Sequence, residues 1–192
     1  MAVAGLGNPG LSYAHTRHNA GFWFVDALAE QYGAQFRSNR KLHGESAVIH
    51  LAGIELHLLK PATYVNRSGL ALQALSHYYK LTPVQILVAH DELDLPPGVV
   101  RLKRDGGHGG HNGLRDIITH LGSQFCRLRL GIGHPGDRTQ VVDFVLNVPS
   151  REERLLINHA IADACAVFPL LPAGDFDKAM QTLNSRKPSS PE

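Results

Sequence analysis

A chain of 192 residues with 43% hydrophobic and 19% charged residues suits a single packed core and excludes a disordered or fibrous chain. Its formal charge of +2 and its 12 histidines permit a polyanionic partner without demanding one. The two cysteines, Cys126 and Cys165, form no C-x-x-C pair. The N-terminus has no basic region, and no stretch approaches the ~18 apolar residues of a membrane span. The expectation is a cytoplasmic protein in a reducing compartment with no membrane partner.

Residues 2–6 are a short apolar run ended by Gly7-Asn8-Pro9-Gly10, which predicts a first strand emptying into a tight turn. Apolar residues at 24, 25, 28 and 32 keep helical spacing over 20–32, with Gly33 as the stop. Residues 46–51 and 54–59 flank Ala52-Gly53 and predict a hairpin closed by Lys60-Pro61. Leu72, Leu75 and Tyr79 share one face of a helix over 68–79. An apolar strand over 85–89 runs into His90-Asp91-Glu92, and another follows Pro96-Pro97-Gly98 over 99–103.

The glycine-rich segment 105–113 leads into a helix over 114–121, and a strand over 126–132 ends in Gly133-His134-Pro135-Gly136. Ser150 and Glu153 have capping-box spacing and open a long helix towards Leu170; a last helix spans about 175–183. Residues 1–186 read as one domain and 187–192 as a disordered polar tail. Strands and helices alternate without a linker or repeat, which predicts an α/β fold: a twisted mixed β-sheet with helices on both faces. Ligands of such sheets collect beyond the strand ends.

The polar residues of interest all follow predicted strands: Asn8, His18 and Asn19, then Asn66, Asp91, His111 and Asn112. Each has an ordinary reading. Asn8 supports a turn, His18 is a loop histidine or part of a helix start capped by Thr16 or Asn19, and Asp91 terminates a strand. A carboxylate at that strand mouth can also accept an imidazole N–H and fix its tautomer, which makes His18 and Asp91 a candidate base and orienter. Asn112 either caps its helix or donates its amide to a developing oxyanion.

Residues 106–113 hold five glycines, so their backbone can reach positive φ and approach an anion. They match neither G-x-x-x-x-G-K-[ST] nor G-x-G-x-x-G, and no nucleotide cofactor is expected. His108 and His111, with His90, His134 and Asp91 as further donors, invite a metal, but the spacing is not that of a helical zinc site. No G-x-S-x-G elbow is present and neither cysteine has a neighbouring base, so water is the expected nucleophile of any hydrolase chemistry. No cofactor and no metal are expected.

The motifs Gly5-Leu-Gly-Asn-Pro-Gly10, Thr16-Arg-His-Asn-Ala-Gly21, Val88-Ala-His-Asp-Glu-Leu-Asp94, Gly106-Gly-His-Gly-Gly-His-Asn-Gly113 and Arg127-Leu-Arg-Leu-Gly-Ile-Gly-His-Pro-Gly136 resemble, in this order, those of the bacterial peptidyl-tRNA hydrolases. The resemblance runs from Val3 to about Leu183. It implies hydrolysis of the ester between peptide and tRNA, without metal, releasing tRNA for reuse in translation. By the same resemblance His18 is the general base, Asp91 orients it, and Asn112 positions the water or stabilises the oxyanion. Asn8, Tyr13, Val65, Asn66 and His111 surround the peptide, and Lys103 and Arg129 grip the 5′-phosphate of the acceptor stem. Lys103 and Arg129 also read simply as solvated strand residues. The implied partner is peptidyl-tRNA, bound through its acceptor stem and nascent peptide by a monomer.

The sequence departs from the family pattern at four places. Val65 stands in place of a methionine, which predicts a shift in peptide affinity. Asp105 replaces a glycine, and its charge is expected to weaken tRNA attraction slightly. Cys126 stands where a histidine is frequent, after a shortened connection at 122–125. The first strand is expected to have lost several N-terminal residues relative to the family pattern.

Overall fold

The computed structural model describes residues 1–186; the tail read at 187–192 lies outside the described residues. The elements run β1 (Ala2–Gly5), α1 (Ala20–Gln31), β2 (Arg37–Asn39), β3 (Gly44–Leu51), β4 (Ile54–Pro61), α2 (Ser68–Tyr79), β5 (Ile86–Glu92), β6 (Val100–Arg104), α3 (Asn112–Leu121), β7 (Cys126–Gly131), α4 (Val141–Leu146), α5 (Arg151–Val167) and α6 (Phe176–Asn184). The strands form one sheet in the order β2-β3-β4-β1-β5-β7-β6. β1 lies parallel between β4 and β5, and β5 is parallel to β7, while β2–β3, β3–β4 and β6–β7 pair antiparallel. The sheet is thus mixed, as its sequence pattern predicts.

Strand alternation sorts the core into two layers. Val3, Leu87, Ala89, Leu128 and Leu130 pack with α1, α5 and α6 on one face, and Ala2, Ala4, Ile86 and Val88 pack with α2 and α3 on the other. β2 and α4 have no counterpart among the predicted elements. β2 is the polar triplet Arg-Ser-Asn, and α4 is six residues rich in valine, so neither carries a readable period. Two boundaries also move. β5 extends through Glu92, which places Asp91 inside the strand rather than after it, and α3 begins at Asn112. The Ser150–Glu153 capping box forms as its spacing predicts, with Ser150 N–H donating to Glu153 Oε2 at 2.7 Å and Glu153 N–H to Ser150 Oγ at 3.1 Å.

The crossing of α1 over the sheet has no room for side chains. A methyl at Gly5 would overlap the Gly21 carbonyl, and one at Gly21 would overlap the Ala89 carbonyl and the Leu6 backbone. Leu6 N–H meanwhile donates to that same Ala89 carbonyl at 2.9 Å. Backbone thus lies on backbone at this point, two residues before Asp91 and three after His18. Gly21→Ala is expected to destabilise the fold by about 2 kcal/mol or more, because a close-packed crossing must separate to admit the methyl. A urea midpoint equal to that of wild type would show that the crossing is not tight.

Candidate active site

β1 and β5 end side by side, and the loops leaving them supply the first residues of a cleft of about 760 Å³. The segment after β1 turns back through a 3-10 turn, Arg17–Asn19, directly into α1. Neither Thr16 nor Asn19 caps these helices through its side chain, contrary to one reading of their sequence. Asn19 instead locks the first loop. Its Oδ1 accepts Asn8 N–H at 2.8 Å and its Nδ2 donates to the Asn8 carbonyl at 3.0 Å.

Arg17 is buried although charged. Its Nη1 donates to the Phe144, Asn147 and Val148 carbonyls, each at 3.2 Å, and its Nη2 pairs with Glu153 at 2.8 Å. A cation thus satisfies the carbonyls at the C-terminus of α4, where the helix dipole is negative. This ties the residue before His18 to α4, whose Val141, Val142, Val145 and Leu146 form an apolar wall of the cleft.

At the centre stands Asp91, 3% exposed. His18 Nδ1 lies 2.9 Å from its Oδ1 and 3.0 Å from its Oδ2. His111 Nε2 lies 3.0 Å from the same Oδ1. The carboxylate is therefore held by two imidazoles, where sequence reasoning gave it one. Burial by itself would raise its pKa, but the charges and hydrogen bonds of His18 and His111 hold the carboxyl far below its usual range. Burial likewise favours neutral His18, yet the charge and hydrogen bond of Asp91 outweigh it and raise the His18 pKa.

Hydrogen bonding decides the tautomers. His111 Nδ1 accepts the N–H of Gly113 at 3.1 Å and of Leu114 at 3.3 Å, so the ring's proton sits on Nε2 and points at Asp91. The same contacts make the His111 imidazole the N-cap of α3. Asn112 is thus the first residue of the helix and not its cap, and its side chain is exposed to the cleft. His18 donates Nδ1–H to Asp91, which leaves Nε2 with a free lone pair.

Behind Asp91, buried His90 donates Nδ1–H to the Asp91 carbonyl at 2.7 Å. Burial first, and then the neighbouring His111, push its pKa down to about 3, so it stays neutral. Its Nε2 has no partner among the described residues.

The remaining expected site residues fall into two groups. Asn8, Tyr13, Val65, Asn66, His111 and Asn112 line the cleft with His18 and Asp91. Asn8 Oδ1 accepts Val65 N–H at 2.8 Å, while its side-chain amide N–H groups have no partner among the described residues. Val65 is nearly buried, and its side chain packs close to Gly113. Asn66 lies in the 3-10 turn Val65–Arg67 that opens α2, and Gly69 N–H, in the first turn of that helix, donates to Asp116 Oδ2 on α3 at 2.7 Å. That bond sets the Asn66 end of α2 against the Asn112 end of α3.

Lys103 and Arg129 stand outside the cleft. The β6–β7 register puts Lys103 opposite Arg127, and Arg129, two residues along β7, shares that face. Arg129 Nε pairs with Glu92 Oε2 at 2.8 Å, and Glu92 lines the cleft. Arg127, 2% exposed, donates to the carbonyls of Asp105 and Gly106 and lies over the Phe125 ring. It anchors the start of the glycine segment. Asp105 has φ +53°, a left-handed conformation that favours glycine and that Asp tolerates better than most residues.

Tyr64, whose ring meets that of Tyr13 edge-on at 6.1 Å between centroids, and Arg17, Asn19 and Asp116 also shape the site. Asn19 lay among the candidates by position, whereas the other three carry no local signal because their partners are distant in sequence. His18, Asp91 and His111 bring one ligand atom each within 4.8 Å of one another, yet these donors suit a cation poorly. Nδ1 of His111 faces two N–H donors, so its Nε2 cannot give up its proton to a metal without breaking the α3 cap or leaving an anionic ring. His108 and His134 each use Nδ1 in a local turn, and His90 Nδ1 is committed to the Asp91 carbonyl. The metal reading of these histidines is not favoured.

Residues 2–191 match the family model described as Peptidyl-tRNA hydrolase. A peptidyl-tRNA hydrolase of Halorhodospira halophila is 54% identical over 184 residues, covering 95% of this chain and 95% of the relative. That of Nitrosospira multiformis is 53% identical over 188 residues, covering 97% and 98%. A crystal structure of peptidyl-tRNA hydrolase from Acinetobacter baumannii superposes with a TM-score of 0.96 at 49% identity, covering 98% of this chain and 96% of that one. By sequence along its length and by fold, this chain belongs to the peptidyl-tRNA hydrolase family, whose members hydrolyse peptidyl-tRNA.

Proposed function

We propose that this chain cleaves the peptide–tRNA ester with a water activated by His18. The observation that carries this reading is the bifurcated His18–Asp91 contact, which leaves the His18 Nε2 lone pair as the base. Water oxygen bonds to the ester carbonyl carbon while its proton passes to Nε2, and Asp91 stabilises the imidazolium that forms. The carbonyl oxygen becomes an oxyanion that the Asn112 amide can receive, a kind of contact that can contribute about 3 kcal/mol. As the intermediate collapses, the bond to the ribose oxygen breaks and that oxygen takes the proton back from His18. An ester leaves more readily than an amide, so no covalent intermediate is needed.

In this reading the Asn8 and Asn66 amides hold the peptide main chain, with Tyr13, Val65 and His111 around it. Lys103 and Arg129 hold the 5′-phosphate, because phosphate contacts position a nucleic acid without reading its sequence. We infer a monomer working in the cytoplasm, which agrees with two buried, unbridged cysteines. No helix among the described residues is long and apolar enough to cross a membrane.

A peptidyl-tRNA release assay tests the base. His18→Ala should lower turnover by about 10²- to 10⁴-fold while tRNA still binds; near-normal turnover would remove His18 from the mechanism. The acid limb of kcat/KM should lie above the ordinary histidine value of about 6.5, because the base works only when neutral and its pKa is raised. In Asp91→Asn the raising charge is gone, so the limb should move to lower pH as turnover falls. An unmoved limb would contradict the pairing. Lys103→Ala should raise KM and cut the slope of log affinity against log salt by about one phosphate contact; an unchanged slope would make Lys103 an ordinary solvated residue.

A further inference from the structure

Three histidines share one local pattern, His-x-Gly, in which the ring Nδ1 accepts the N–H of the glycine two residues on. His108 accepts from Gly110 at 3.0 Å, His111 from Gly113 at 3.1 Å and His134 from Gly136 at 2.9 Å. An accepting Nδ1 carries no proton, so the neutral ring bears it on Nε2 and becomes an oriented donor. His111 gives that donor to Asp91. His108 and His134 do not, for among the described residues neither Nε2 has a hydrogen-bond partner, and both rings line the cleft that contains His18. Arg138 lines it as well.

We propose that His108 and His134, with Arg138, hold the last phosphodiester of the tRNA, the one preceding the nucleoside that bears the ester. The inference deepens the reading above and rests on it. The chemistry of the donors supports it. Imidazole Nε2–H and guanidinium offer only donors, and a phosphodiester offers only acceptors, whereas a peptide main chain needs both. The apolar wall of α4 already suits peptide side chains.

Placement agrees. The glycine segment is pinned at Gly106 by Arg127, beside Lys103, and at His111 by Asp91. His108 therefore lies on the stretch of chain between the proposed 5′-phosphate grip and the reacting ester. His134 follows β7, the strand that carries Arg129, by three residues. In this proposal the acceptor strand reaches His18 from Lys103 and Arg129 along these two segments, both of which line the cleft. Of the carboxylates near that path, Asp91 is held by His18 and His111 and Glu92 by Arg129, whereas Asp94 and exposed Asp137 have no ion pair among the described residues.

The test compares kcat/KM for peptidyl-tRNA with that for an N-acyl-aminoacyl-adenosine, which keeps the ester, the peptide and the terminal nucleoside but has no phosphodiester. His108→Asn and His134→Asn preserve the turn, since an asparagine carbonyl accepts the same N–H two residues on, but their side chains end short of the Nε2 position. Each should lower the ratio of the two kcat/KM values by about tenfold, the worth of one hydrogen bond to a charged group. Wild type should also lose about tenfold on a peptidyl-tRNA whose last phosphodiester is a neutral methylphosphonate, a measurement independent of how the variants fold. An unchanged ratio would overturn the proposal, as would equal losses on both substrates or full activity on the methylphosphonate. Wild-type turnover of peptidyl-tRNA and of the N-acyl-aminoacyl-adenosine tests the hydrolase reading separately, so the two failures are distinct.

Discussion

A buried carboxylate shared by two imidazoles is the interaction around which the cleft is organised. Burying an unpaired carboxylate would cost several kcal/mol, and Asp91 escapes that cost through the N–H groups of His18 and His111. Each imidazole is fixed in turn by what lies behind it. His111 is held because its other nitrogen caps α3, and His18 because its neighbour Arg17 is bound to the end of α4 and to Glu153 of α5. The charge on Asp91 thus couples elements that are far apart in sequence, and His18 takes its tautomer and its raised pKa from that coupling.

This arrangement depends on how closely the backbone of α1 can approach the sheet. Near the His18–Asp91 contact, Gly21 lies against the Ala89 carbonyl and Gly5 against Gly21. On the other face, the bond from Gly69 to Asp116 brings the starts of α2 and α3 together, with Asn66 and Asn112 at those starts. The positive ends of both helices therefore lie at the cleft wall that carries Asn66 and Asn112. Close backbone packing gives rigidity next to the His18–Asp91 pair, since packed elements yield little to a displaced side chain.

The cationic face of β6 and β7 is separate from the cleft yet mechanically joined to it. Glu92, one residue after Asp91, pairs with Arg129, and Arg127 holds the first carbonyls of the glycine segment whose far end is His111. That face and the His18–Asp91 pair therefore belong to one continuous frame. Arg127 itself is too buried to meet a ligand, so its role is to shape the segment, while exposed Lys103 remains available to solvent.

Period and punctuation alone determined most of the fold. Alternating apolar runs, helical stripes and the Ser150–Glu153 box are local signals, because their physics involves neighbours a few residues apart. The family motifs likewise made His18, Asp91, Asn66 and Asn112 legible as a set. Other features depended on the tertiary structure. Nothing near Asp91 reveals that His111, 20 residues on, would share it, or that His111 and not Asn112 would cap α3. The burial of Arg17 follows from carbonyls about 130 residues away, and α4 and β2 have no period of their own to read. Sequence specifies the elements and the residue types at their ends; which nitrogen holds which proton is decided only when those ends meet, because hydrogen bonding and burial are properties of the assembled site.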